Sequence, residues 1–196
     1  MAKKKSISRK KPKVYEFSIS LANTKPLVRR KVLAHEFIEL QELHMLIQMS
    51  IGWEARHLYS FEINKKIYSD GAFSTDTEGA IDDEDVLLRD ALGSTKKFTY
   101  TYDFGDHWVH QVEITKVLDH DPRIHYPVCI AGENACPPED CGGIGGFEQL
   151  KATLTGKDSE EKNEMLTWLG GFYDPTTFDP NFVNKHFLWA DESEDL

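Results

Sequence analysis

Strict two-residue alternation is the feature that most restricts what this chain can fold into. In "HWVHQVEI" the side chains of Trp108, His110, Val112 and Ile114 share one face, and Val109, Gln111 and Glu113 share the other. A period of two belongs to a β-strand with one covered face. "VYEFSISL" repeats the pattern, with Tyr15, Phe17, Ile19 and Leu21 opposed by Glu16, Ser18 and Ser20. "HLYSFEI" does so again, aligning His57, Tyr59, Phe61 and Ile63. Strands of this half-buried kind build antiparallel sheets.

The segments between them punctuate the sheet. "NTKP" turns the chain into "LVRRKVL", a second strand carrying three cations, and "KKIYS" completes a further strand. "FIELQELHMLIQMSIGW" has helical period: Phe37, Leu40, Leu43, Ile47 and Ile51 form a stripe that Gly52 terminates. "DGAFSTDTEGAIDDED", from Asp70 to Asp85, is acidic, lacks the residue order of a calcium loop and reads as solvated. "VLLRDAL" is a short helix closed by Gly93. "KKFTYTYD" and "HWVHQVEITKVL" form a hairpin, with Gly105 expected to supply the permissive turn backbone. From Pro127 to Gly146 the lack of periodicity predicts a loop. The remainder is helical: "FEQLKATL" ended by Gly156, "SEEKNEMLTWLGG", then "DPNFVNKHFLW" with Asp179 as N-cap and Pro180 in the first turn. The order predicts an α+β fold: a largely antiparallel sheet, a packed helix after the second strand and a helical C-terminal segment.

Charge divides the chain. Residues 1–13 hold seven of the 23 Lys and Arg and no acid, leaving 16 cations against 33 acids beyond them, a formal charge of −17. The expected organisation is a basic tail over 1–13, a single domain over 14–188 and an acidic tail over 189–196. An acidic body repels a phosphate backbone, so nucleic-acid contact falls to the tail residues Lys3, Lys4, Lys5, Arg9, Lys10 and Lys11. No apolar run suits a membrane span, and the charged N-terminus has no apolar core of a secretory signal. Three cysteines do not make a disulfide framework, which points to a reducing cytoplasm.

"YDFGDHWVH" concentrates Asp103, Asp106, Trp108 and His110 at the hairpin corner. His110 lies on the apolar face, where each ring nitrogen needs a partner, and the two aspartates are the nearest candidates. Read structurally, this is a hairpin corner with a satisfied core histidine. Read functionally, it is an acid–imidazole pocket for a ligand or metal. His44 on the helical stripe and His57 on its strand also aim inward. Cys129, Cys136 and Cys141 are spaced C-x6-C-x4-C without the close pair that marks structural zinc, so packed thiols are the expected reading and zinc there is the alternative. No phosphate loop, H-E-x-x-H or G-x-S-x-G occurs.

Four blocks, "HMLIQMSIGWEARHLYSFEI", "YTYDFGDHWVHQVEI", "CIAGENACPPEDCGG" and "LTWLGGFYDPTTFDPNFVN", occur in that order. Together they resemble the plasmid pRiA4b ORF-3-like family, from about Tyr15 to Phe187. The family pattern falls on His44, Gly52, Trp53 and His57, then on Tyr102 to Asp106, Trp108 and His110. In the third block it falls on Cys129, Gly132 and residues 135–143. His107 departs from it, since relatives commonly carry an acid there. The resemblance implies an intracellular prokaryotic α+β domain of plasmid or insertion-element company and supplies no reaction. The expected role is therefore a non-enzymatic accessory domain binding a protein or small molecule at the corner. Ligand candidates are Asp103, Asp106, Trp108, His110, His44, Trp53 and His57. Two alternatives stand beside it: a metal-dependent or hydrolytic enzyme using the same acids and histidines, and a DNA-associated protein acting through the tail.

Overall fold

A computed structural model describes residues 12–71 and 79–194, with side chains to 188. Its strands are β1 (Lys13–Leu21), β2 (Arg29–His35), β3 (Tyr59–Ile63), β4 (Lys66–Ser69), β5 (Ala80–Asp82), β6 (Lys97–Tyr102), β7 (Trp108–Asp119) and β8 (Val128–Glu133). The helices are α1 (Leu40–Ile51), α2 (Leu88–Leu92), α3 (Gly143–Thr155), α4 (Glu160–Trp168) and α5 (Pro180–Glu194). The strands form one sheet in the order β5-β4-β3-β6-β7-β1-β2-β8. Every neighbouring pair is antiparallel except β4 with β5. The α+β fold expected from the alternation is the observed one.

One sheet face carries the core. Trp108, His110, Val112 and Ile114 of β7 are buried together, as their spacing requires, beside Phe98, Tyr100 and Tyr102 of β6. Helix α1 covers this face, packing against β2 and α5, and α5 packs on β8. A capping box starts α1, with Glu39 and Glu42 each accepting from the other's backbone, and Gly52 ends it at φ 102. Because the helix begins only at Leu40, Phe37 falls outside the predicted stripe; it is 47 % exposed, with the Arg89 guanidinium over its ring at 4.6 Å.

Other expectations are corrected. A bulge between Glu16 and Phe17 shifts the register against β7 and breaks the alternation of β1. Glu16, expected on the polar face, is thereby buried, accepting from the Thr115 hydroxyl at 2.7 Å and Lys116 at 2.9 Å. These partners hold its carboxyl below the usual range. The acidic loop is not wholly solvated. β5 pairs with β4, and Asp83 is fully buried, accepting from Tyr59 at 2.8 Å and Gln41 at 3.2 Å. Within the predicted loop after Pro127, β8 forms the sheet edge beside β2.

Candidate functional site

The turn from β6 to β7 is made by residues other than the expected glycine. The left-handed backbone lies at Asp103 (φ 54) and His107 (φ 57). Asp103 tolerates it because its carboxylate organises the turn: Oδ1 accepts from Gly105 N at 2.9 Å and Asp106 N at 3.3 Å. Its own N–H donates to the Leu58 carbonyl at 2.9 Å, tying the corner to the segment before β3.

Two other segments close on this corner. Gly142 N donates to Asp106 Oδ2 at 3.1 Å, and a Cβ built on Gly143 would come within 2.6 Å of the Asp106 carbonyl oxygen. The Trp53 indole donates to the Pro137 carbonyl at 2.9 Å. Glu139 takes the Glu54 N–H at 2.8 Å on one carboxylate oxygen and the Tyr102 hydroxyl on the other. That hydroxyl in turn accepts from Arg56 N at 2.9 Å. Residues 53–58, 103–107 and 137–143 are thus held against each other largely by side-chain-to-backbone hydrogen bonds.

At their meeting point lie His57, Asp103 and Asp140. His57 Nε2 is 2.8 Å from Asp140 Oδ1 and 3.8 Å from Asp103 Oδ2. One potential ligand atom from each of the three lies within 4.8 Å of the other two. The His57 side chain is 34 % exposed, Asp103 13 % and Asp140 56 %. The place is therefore open on one side and walled by protein on the other. His57 precedes β3 rather than starting a core-facing strand, so its ring reaches this surface and not the interior.

The other histidines lie beneath. His44 stacks on Tyr59 with ring centroids 3.7 Å apart, and its Nδ1 is 2.7 Å from the Tyr100 hydroxyl, which also accepts from Gln48 at 2.8 Å. His110 is fully buried and bonds neither aspartate; its Nδ1 donates to the Trp108 carbonyl at 3.1 Å. The strand pleat turns the ring inward, away from the corner carboxylates. Burial pushes both imidazoles down to about 4, leaving them neutral near pH 7. His110 Nε2 and the Trp108 indole N–H have no hydrogen-bond partner among the described residues. Trp53 packs against Tyr102, Trp108 and His110 with centroids 5.2, 5.5 and 5.5 Å away. Of the ligand candidates, then, His57 and Asp103 share the surface, Asp106 braces Gly142, and Trp53, Trp108, His110 and His44 form the floor.

The cysteines do not join a metal-holding group among the described residues. All three are free, and burial raises each thiol, Cys141 to about 12. The tail cations from Lys3 to Lys11 lie outside the described residues. Asp140 and Glu139 lie within the third motif block but outside the ligand candidates. Their signal is the acidic pair in "CPPEDC", where the prolines restrict the backbone before two carboxylates. No helix among the described residues is long and apolar enough to cross a membrane.

The chain is 32% identical over 181 residues to an uncharacterized protein, y4hQ, of Sinorhizobium fredii, covering 88% of this chain and 89% of that one. It is similar to the crystal structure of a protein of unknown function, MM3350, from Methanosarcina mazei Go1. That match has a TM-score of 0.78 and 31% identity, over 87% of this chain and 97% of the other. Residues 13–182 match the family described as plasmid pRiA4b ORF-3-like protein, and with the fold and four motif blocks in agreement the chain belongs to that family.

Proposed function

We propose that the protein is an accessory domain that binds a small cationic ligand where the β6–β7 corner meets residues 137–143. One observation carries the reading: Asp103 and Asp140, with His57 between them, face one spot, on backbone that three separated segments hold in place. Carboxylates are acceptors when ionised, so such a spot recognises donors and positive charge. Prior clamping of the backbone lowers the ordering cost of binding. A body of formal charge −17 also favours cations in the encounter.

Thermal melting with spermidine, argininamide, Mg²⁺, Mn²⁺ and Zn²⁺ tests this. A ligand that binds only the folded state raises its stability by RT ln(1 + [L]/Kd), about 2.7 kcal/mol at a hundredfold excess over Kd. The expected result is a rise in Tm with at least one of these cations, much reduced in Asp140→Asn. No rise with any of them, or equal rises in both proteins, overturns the proposal.

A further inference from the structure

We infer that the cation held at this corner is a single divalent first-row transition ion, bound by His57 Nε2, Asp103 Oδ2 and Asp140 Oδ1. The inference rests on the cationic-ligand reading above and names the ligand.

The donor set argues for a metal over an organic cation. An ammonium or guanidinium group needs acceptors alone, which carboxylates and carbonyls supply. Here an imidazole nitrogen stands between the two carboxylates, 2.8 and 3.8 Å from their oxygens. Imidazole suits zinc and its neighbours, whereas Mg²⁺ and Ca²⁺ prefer all-oxygen shells. Two carboxylates also neutralise a dication.

Spacing and orientation agree. Ligand atoms about 2.0–2.1 Å from a tetrahedral ion lie roughly 3.3 Å from each other. One ligand atom from each of the three residues already lies within 4.8 Å of the other two, and His57 Nε2 stands 2.8 and 3.8 Å from the two carboxylate oxygens, so small side-chain shifts suffice. Asp103 supplies an independent sign. Its side chain is 13 % exposed, and Oδ1 is pinned by Gly105 N at 2.9 Å and Asp106 N at 3.3 Å. Its Oδ2 takes no hydrogen bond among the described residues and aims at His57 Nε2 from 3.8 Å, too far for one. A buried carboxylate oriented on one oxygen by backbone N–H groups, with the other left for an ion, is how ligating carboxylates are commonly braced.

On metal binding the His57–Asp140 hydrogen bond gives way to coordination, and the imidazole proton moves from Nε2 to Nδ1. The outward positions of the ion stay open, because Asp140 is 56 % and His57 34 % exposed on their side chains. Three protein ligands with an open position mark an exchangeable site rather than a closed structural one.

The test uses the full chain, stripped with a chelator and titrated with Zn²⁺ and with Co²⁺ by calorimetry. Visible absorption of the Co²⁺ form reports the ligands, and spermidine is titrated in parallel. The expected result is one ion per chain, with affinity reduced about 100-fold in His57→Gln and in Asp140→Asn and unchanged in Cys136→Ser. Asp140 is exposed, so its variant keeps the fold even if Asp103→Asn does not. Failure of either metal to bind at one per chain, or retention of affinity in Asp140→Asn, overturns the inference. If spermidine still binds in an Asp140-dependent way, the metal assignment alone falls; if nothing binds, both readings fall.

Discussion

The indole N–H of Trp53 meets the carbonyl oxygen of Pro137 at 2.9 Å, joining residues 84 apart in the chain. The bond latches the loop that carries Asp140 onto the end of α1. The ring beneath it stacks on Tyr102 at 5.2 Å.

Replacing Trp53 by Phe keeps a stacking ring and deletes the donor. The expected cost is about 1–2 kcal/mol, the range for a buried hydrogen bond whose acceptor is left behind. Urea denaturation measures it, and faster exchange of the Gly142 amide should accompany it. Stability and exchange equal to wild type would show that the latch holds nothing.

Two glycines of α3 should respond oppositely to alanine. At Gly143, φ is 66 and a Cβ would lie 2.6 Å from the Asp106 carbonyl oxygen, so Gly143→Ala should destabilise by about 2 kcal/mol or more. Gly145 has open space for a Cβ and sits inside the helix. Gly145→Ala should stabilise by about 0.5–1 kcal/mol. Calorimetric melting of the pair checks both signs.

Acid should weaken the fold through its buried imidazoles. His110 has a folded value of about 4 against an ordinary 6.5, so between these limits the unfolded chain binds a proton that the folded ring excludes. Stability then rises with pH across that window, by about 1.4 kcal/mol per unit for one proton, and levels off above it. His44 acts in the same direction. Asp83 opposes them, because burial raises its carboxyl and the folded state keeps a proton that the unfolded state gives up. Comparing slopes cancels that opposition. His110→Gln should lose about one proton of pH dependence between 4 and 6.5 relative to wild type. Identical slopes in urea titrations would refute the assignment.

Arg30 is 2 % exposed and among the described residues bonds carbonyls alone: Ser50 from Nε at 2.8 Å, and Arg29 and Glu133 from Nη1 at 2.8 and 2.9 Å. Its guanidinium also lies over the Phe178 ring at 4.0 Å. A lysine has neither the planar fork nor the stacking face. Arg30→Lys should therefore destabilise by about 2–4 kcal/mol in equilibrium denaturation, and a cost below about 1 kcal/mol would mean that charge alone matters.

Legibility in the sequence tracked how local each cause was. β7 and the body of β1 follow from alternation because a covered face demands it at every second residue. The Glu16 bulge was hidden, since it depends on the register with a strand roughly a hundred residues away. The edge strand β8 buries only Cys129, and β5 spans three residues, so neither leaves a period to read. At the site, Asp103 and His57 were candidates by residue type. Asp140 stands only in the third motif block, because only the packing of residues 137–143 onto the corner brings it to His57. The inward turn of His110 was legible from the pleat, but its bond to the Trp108 carbonyl rather than an aspartate is a matter of side-chain geometry.

β1 lies between β2 and β7, and its pairing with β7 runs from Lys13↔Asp119 to Leu21↔His110. During translation the ribosome delivers this interior strand first and its second neighbour only after about a hundred more residues. Until then the nascent chain presents an apolar strand with one bare backbone edge, the kind of template that recruits other chains. Assembly of the sheet must therefore be late and slow, and yield in the cell should depend on chaperone capacity during synthesis more than on the final stability of the protein.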